Sequence, residues 1–348
     1  MHRLIAVIRG NDPARDYRSE NGQTILWQAG YHSRVMSPRP LFAAVLIAVG
    51  ALAALHGQTA TGDQIMRDNK VLRSGVDVVM VTATVVDGDG RLVTGLPRDA
   101  FEVFEDGDRQ TITQFTHERV PIGLGMLLDV SDSMFGRRIV DARAAVERFL
   151  FELLSKEDEF FVMAFNHAPH LLTRWTTAAD VVRRALDQAR PSGGTAMYDA
   201  LIHAMPMMQQ RNRERAAIVL VSDGADTASD AGLKDVRTAL LRSDAFVYAV
   251  AIDSPKPQPI NTRVNASALR EITGQSGGLT AVVRDADELE AATARIAEEL
   301  NSQYVLGYAS PRATDGKYHS IRVSVKRPGH RVRARNGYVG GVSATKSR

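Results

Sequence analysis

No cysteine occurs in the 348 residues. Its absence excludes a disulfide scaffold, thiol catalysis, cysteine-ligated zinc, iron–sulfur clusters and lipid attachment at cysteine. Other signatures are missing too. There is no His-Glu-x-x-His, and Gly193-Gly194 lacks the lysine of a phosphate loop. Neither Ser131 nor Ser222 stands in a Gly-x-Ser-x-Gly elbow. The apolar stretch 41–55 has fifteen residues, short of the ~20 that span a membrane. A true excess of positive charge is also lacking. The formal charge is +3 and the pI about 9.2. Residues 1–57 hold Arg3, Arg9, Arg15, Arg18, Arg34 and Arg39 against Asp12, Asp16 and Glu20, which accounts for the whole surplus. The basic run Lys326, Arg327, Arg331, Arg333 and Arg335 has no interleaved aromatics, so no nucleic-acid partner is expected. Its alternation reads as the solvated face of a strand at a blunted sheet edge.

What is present begins with that short apolar stretch. It suits the h-region of a secretory signal peptide. Met36 and Arg39 precede it, and small residues with Gln58-Thr59 follow. Residues 36–57 are therefore expected to be a signal peptide, 1–35 an extension from a start assigned too early, and 58–73 a linker. The alternatives are a long cytosolic segment before an uncleaved anchor, or a buried core helix. The expected location is exported: periplasm, cell envelope or extracellular. A membrane enters only through an uncleaved signal peptide.

Composition is globular, at 44% hydrophobic and 24% charged. Val76–Val86 is β-branched and reads as a strand ended by a hairpin turn at Asp87-Gly88-Asp89-Gly90. That turn lacks the continuation of an EF-hand loop. Phe101–Phe104 and Thr111–Phe115 read as strands bracketing Glu105–Asp108. Residues 74–118 thus form a small N-terminal β segment, too small for a core of its own. From Ile122, continuous apolar runs at 123–128, 160–165, 217–221 and 245–252 alternate with helical spacings at 139–153, 179–189, 198–210, 232–242, 265–275 and 286–300. A short strand is expected at 279–283. Such runs are strands covered on both faces. The fold class is α/β, a doubly wound, mostly parallel sheet over 120–301. Residues 302–340 return to β, and 341–348 are a tail. Each β flank lacks a core, so the two are expected to share one sandwich-like unit with the α/β domain inserted between them.

Three oxygen-rich clusters sit where the chemistry of such a sheet is done, outside the strand carboxyl ends. They are Asp129-Val130-Ser131-Asp132-Ser133, Gly193-Gly194-Thr195 and Ser222-Asp223-Gly224. Hydroxyl and carboxylate oxygens suit a hard divalent cation, Mg2+ above all, with Mn2+ or Ca2+ as alternatives. The constellation resembles the von Willebrand factor type A domain with its metal-ion-dependent adhesion site, Asp-x-Ser-x-Ser followed by a distant Thr and a distant Asp. Asp129, Ser131, Ser133, Thr195 and Asp223 fill the five positions. Gly95-Leu96, Phe101–Gly107 and Tyr304–Tyr308 further resemble the bacterial exported VWFA-related branch, so the resemblance spans about 74–340. It implies that Ser131 and Ser133 touch the metal, that Thr195 does so directly or through water, and that Asp129 and Asp223 act mainly through water. It implies a protein ligand whose Asp or Glu completes the coordination, with no catalysis. It also implies that the helix at 286–300 is the one whose shift couples the site to affinity in some members.

The competing readings are plain. The five residues could serve capping and turns. Asp132 and Asp226 read as solvated loop residues, and His167 and His170 as an exposed loop. Two rival functions stand beside Mg2+-dependent protein binding: a structural scaffold of an envelope complex whose metal site is only stabilising or non-functional, and a serine hydrolase using Ser222 or Ser131.

Overall fold

The computed structural model describes residues 77–223, 225–253 and 265–341. The expected extension (1–35), signal peptide (36–57), linker (58–73) and most of the tail lie outside them. Among the described residues, no helix is long and apolar enough to cross a membrane.

The central layer is a six-stranded sheet. Its strands are β5 (Ile122–Asp129), β6 (Glu159–Phe165), β7 (Pro169–Thr176), β8 (Arg215–Ser222), β9 (Phe246–Ile252) and β10 (Thr280–Val283), in the order β10-β9-β8-β5-β6-β7. All pairs are parallel except β6–β7. Every residue of β5, β6, β8 and β9 is buried, because helices cover both faces. On one face α1 (Arg137–Arg148), α2 (Ala179–Gln188) and α6 (Ala286–Asn301) pack Ile139, Val146, Val182, Leu186 and Ile296 onto Leu124, Met126 and Leu128. On the other, α3 (Met197–Met208), α4 (Leu233–Leu240) and α5 (Ala266–Ser276) pack Leu201, Val236 and Leu269 onto Leu127, Phe161 and Ile218. Successive residues of a strand thus feed opposite cores. Gly125 is needed where the two strands touch, since a Cβ there would lie 2.6 Å from the Phe161 ring. Folding removes these side chains from water at about 25 cal/mol per Å2 of apolar surface, the main stabilising term.

The flanks do share one sandwich. β1 (Val78–Val86), β4 (Ile112–Thr116), β11 (Tyr304–Ala309) and β13 (Arg331–Ala334) form one sheet, in the order β13-β1-β11-β4. β2 (Phe101–Glu105), β3 (Asp108–Gln110), β12 (Tyr318–Val325) and β14 (Gly337–Val339) form the other, in the order β14-β12-β2-β3. Each sheet therefore interleaves strands from before and after the α/β domain. Val81, Ala83, Phe101, Val103, Leu306, Tyr308 and Ile321 are its core.

Several details differ from expectation. Asp87–Gly90 is a turn, with Asp87 N donating to Arg91 O at 2.9 Å, but the returning chain makes only the Val86–Leu92 bridge. β1 is occupied instead by β11 and β13. The strand expected at 111–115 is β4, but it pairs β11 in the other sheet, and a short strand that was not expected, β3, precedes it and pairs β2. β7 was not expected. The basic run is a solvated edge only in part: Lys326, Arg327 and Arg331 are exposed and β13 is an edge strand, but Arg333 pairs with buried Glu299, and Arg335 is buried, donates to Met80 O at 2.8 Å and lies over Tyr338.

One buried polar cluster joins the sandwich to the α/β domain. Glu299 of α6 is 1% exposed. It accepts from Tyr248 OH of β9 at 2.8 Å and from Thr84 Oγ1 of β1 at 3.3 Å, and it pairs with Arg333 of β13. Gln303 donates to both Tyr248 OH and Thr84 Oγ1 and accepts from Arg215. Burial pulls the Arg215 guanidinium down to about 10.

Candidate metal centre

The site is assembled at the carboxyl ends of β5 and β8. β5 ends on Asp129, which is 0% exposed. Its carboxylate is fully engaged: Ser131 N donates to Oδ1 at 2.8 Å, and Ser222 Oγ, at the end of β8, donates to Oδ2 at 2.6 Å. Burial lifts this carboxyl to about 6, against the hydrogen bonds from Ser222 and Ser131 that favour its charged form. A cation close by would favour the charged form as well.

After Asp129 the chain turns rather than entering a helix. Residues Asp132–Met134 make one tight helical turn, and α1 starts only at Arg137 after Gly136. No side chain caps either start. The capping alternative for Ser131 and Ser133 therefore fails, and their hydroxyls turn to each other. The two oxygens are 3.0 Å apart. Ser133 Oγ donates onward to Asp223 Oδ1 at 2.6 Å.

Thr195 comes from the loop before α3. Ser192 N donates to Val130 O at 2.8 Å and Asp132 N to Gly193 O at 3.0 Å, which sew this loop to the Asp129–Ser133 segment. Gly193 sits at φ +73°, a backbone state that a side chain would strain. Thr195 N donates to Thr227 Oγ1 at 3.1 Å, and Thr195 O accepts from Thr227 N at 2.9 Å. Thr195 is 4% exposed as a residue, and its hydroxyl makes no hydrogen bond among the described residues while keeping some access to solvent.

This donor set fits a small hard cation. Octahedral Mg2+ holds oxygens at about 2.0–2.1 Å, which places neighbouring ligand atoms about 2.9 Å apart. The Ser131–Ser133 pair already has that spacing, at 3.0 Å. Ser133 donates to Asp223, so Ser131 is the donor of the pair and Ser133 keeps one further lone pair for an ion. Among the described residues, no group of three or more His, Asp or Glu is placed to hold a metal. The candidate centre is instead three hydroxyls backed by two buried carboxylates.

The other candidates sort clearly. Asp226 is half-buried, not solvated; it accepts from Tyr198 N at 2.9 Å and Ser229 Oγ at 2.6 Å, tying the 226–229 turn to the start of α3. Asp132, His167 and His170 are exposed, as expected. One residue had no forewarning. Arg138, in the first turn of α1, donates from Nη1 to Asp223 Oδ2 at 2.6 Å and to Ser133 O at 2.8 Å. Its spacing from Asp223 along the chain hides this pairing. Beside it Phe135 is 78% exposed.

Residues 124–225 match the family model described as the von Willebrand factor type A domain. Among curated proteins, the chain is 27% identical to inter-alpha-trypsin inhibitor heavy chain H2 of Mesocricetus auratus over 172 residues, 45% of this chain and 18% of that protein. It thus spans under a fifth of that relative's length. Among solved structures, it is similar to a von Willebrand factor type A protein from Catenulispora acidiphila, with 13% identity, 76% and 74% of the two chains covered and a TM-score of 0.45. It is also similar to the conserved hypothetical protein BatB from Bacteroides thetaiotaomicron, with 18% identity, 51% and 98% covered and a TM-score of 0.44.

Proposed function

Because the chain carries a von Willebrand factor type A domain, we propose that it is an exported, adhesion-type binding protein in which Mg2+ joins a partner's carboxylate to the domain. The observation that carries this is the Ser131–Ser133 hydroxyl pair, spaced 3.0 Å and relayed to Asp223. Bound there, the cation supplies an electrophilic centre that accepts an oxygen ligand from outside.

The chain's own residues do the rest. Ser133 donates its hydrogen bond to Asp223 and keeps a lone pair for the ion. Asp129 fixes Ser131 through the backbone and acts from behind the hydroxyls, as does Asp223. Thr195 brings a third hydroxyl from a loop hydrogen-bonded to the first. Few direct carboxylates leave the ion in need of an anion, and an Asp or Glu of a partner protein provides one. Phe135, exposed two residues after Ser133, offers apolar contact beside it. Nothing in this arrangement breaks a bond. Of the two nucleophiles a hydrolase would use, Ser222 is 1% exposed and its hydroxyl serves Asp129, and Ser131 is 2% exposed with its hydroxyl on Ser133. Export rests on the signal-like segment 36–57.

Affinity capture from an envelope fraction tests the proposal. A partner retained with Mg2+ and released by chelator supports it. Capture indifferent to chelator contradicts it and favours the scaffold reading.

A further inference from the structure

We infer that Arg138 is a built-in counter-charge that leaves the bound cation short of negative partners, so that cation and outside carboxylate bind cooperatively. This rests on the metal reading above. The observation is geometric. Asp223 has both oxygens committed: Oδ1 accepts from Ser133 Oγ at 2.6 Å and Oδ2 from Arg138 Nη1 at 2.6 Å. Arg138 is anchored a second time by Ser133 O at 2.8 Å, so its guanidinium is fixed against the site. Asp223 is fully buried in that pair, while the arginine side chain stays 27% exposed.

The consequence follows from charge. Asp129 and Asp223 are the buried carboxylates here, and Arg138 cancels one of them. A divalent ion then meets one net negative charge and remains positive overall. Direct ligation by Asp223 through Oδ2 would also require breaking a charge-assisted hydrogen bond, the stronger kind. The ion alone is therefore held weakly, and an added carboxylate restores neutrality. Without the arginine, Asp223 would satisfy the ion from within, and the outside carboxylate would lose its advantage. By linkage, whatever tightens the ion in the presence of carboxylate tightens the carboxylate in the presence of the ion.

Calorimetric titration of the chain with Mn2+ tests this, with acetate as the probe anion and acetamide as its neutral control. In the unaltered protein, acetate tightens Mn2+ several-fold and acetamide does not. Arg138→Gln binds Mn2+ alone at least about tenfold tighter, a floor, since unit charges a few Å apart at an effective dielectric of about 20 interact by more than that, and acetate adds little. Arg138→Lys, which keeps the charge, behaves as the unaltered protein. Equal Mn2+ affinity in a folded Arg138→Gln protein overturns the inference while leaving the metal reading intact. So does an unaltered protein whose Mn2+ affinity ignores acetate, a result that needs no variant. Absence of Mn2+ binding in every arm removes the metal reading itself, and this inference with it.

Discussion

Glu299→Ala is the sharpest probe of how the β sandwich braces the α/β domain. Glu299 sits on α6, the helix beside β9 and β10, and is 1% exposed. Its loss leaves Tyr248 OH and Thr84 Oγ1 without their acceptor and takes the carboxylate from the Arg333 guanidinium, which keeps only Gly277 O among the described residues. Breaking a buried ion pair from one side costs about 3–5 kcal/mol, because the surviving charge is left desolvated and unpaired. At about 2–4 °C per kcal/mol for a chain of this size, the melting temperature falls by roughly 10 °C. Glu299→Gln keeps an acceptor and loses only the charge, so it falls less. Arg333→Ala should share the loss: in the double variant the two effects overlap, with a coupling of about 1–3 kcal/mol. Chemical denaturation read by far-UV circular dichroism gives all four values. A drop under 1 kcal/mol for Glu299→Ala, or strict additivity with Arg333→Ala, refutes the idea that this cluster ties the two units together.

Two further expectations concern the surface and pH. Phe135→Ala leaves stability within about 0.5 kcal/mol, as for an exposed site without partners, and weakens capture of the Mg2+-dependent partner; unchanged capture shows that Phe135 lies outside the interface. In the sandwich, buried His319 bridges Asp106 at 2.7 Å and Asp315 at 2.9 Å. Burial pulls its pKa down, but the two carboxylates outweigh this and the net shift is upward from 6.5, while Asp106 and Asp315 are shifted below 3.8. The histidine's contribution is therefore complete below pH 6.5 and lost as pH rises through its raised pKa. The aspartates' contribution is present above 3.8 and lost as pH falls through their lowered values. The sandwich is most stable between these limits, and His319→Gln flattens the alkaline side; an unchanged melting profile from pH 6 to 9 in the unaltered protein argues against the bridge.

The parts of the molecule legible in sequence were those where one physical constraint acts along the chain. β5, β6, β8 and β9 read as continuous apolar runs because both their faces are covered. The Asp129, Ser131 and Ser133 spacing is local, and Thr195 and Asp223 stand where strand ends or a helix-leading loop must converge. What escaped notice depended on partners far away. β7 is an edge strand that begins at Pro169 and mixes exposed with buried residues, so it shows neither a run nor an alternation. The sheet switch between Gln110 and Ile112 falls within five residues of ordinary β sequence. Arg333 and Arg335 alternate as surface residues do, yet Glu299 and Met80 O claim them. Arg138 is one of two adjacent arginines; its neighbour Arg137 makes an ordinary exposed i,i+4 pair with Asp141, and only folding separates their roles.

The most direct test of the metal centre is Mn2+ binding to the unaltered chain and to Ser133→Ala, Thr195→Ala and Asp223→Asn, by calorimetry at equal ionic strength. One ion per chain in the unaltered protein, weakened at least about tenfold by the loss of a ligand or its positioning partner, is the predicted result. No saturable Mn2+ binding, or one affinity shared by all four folded proteins, contradicts the assignment.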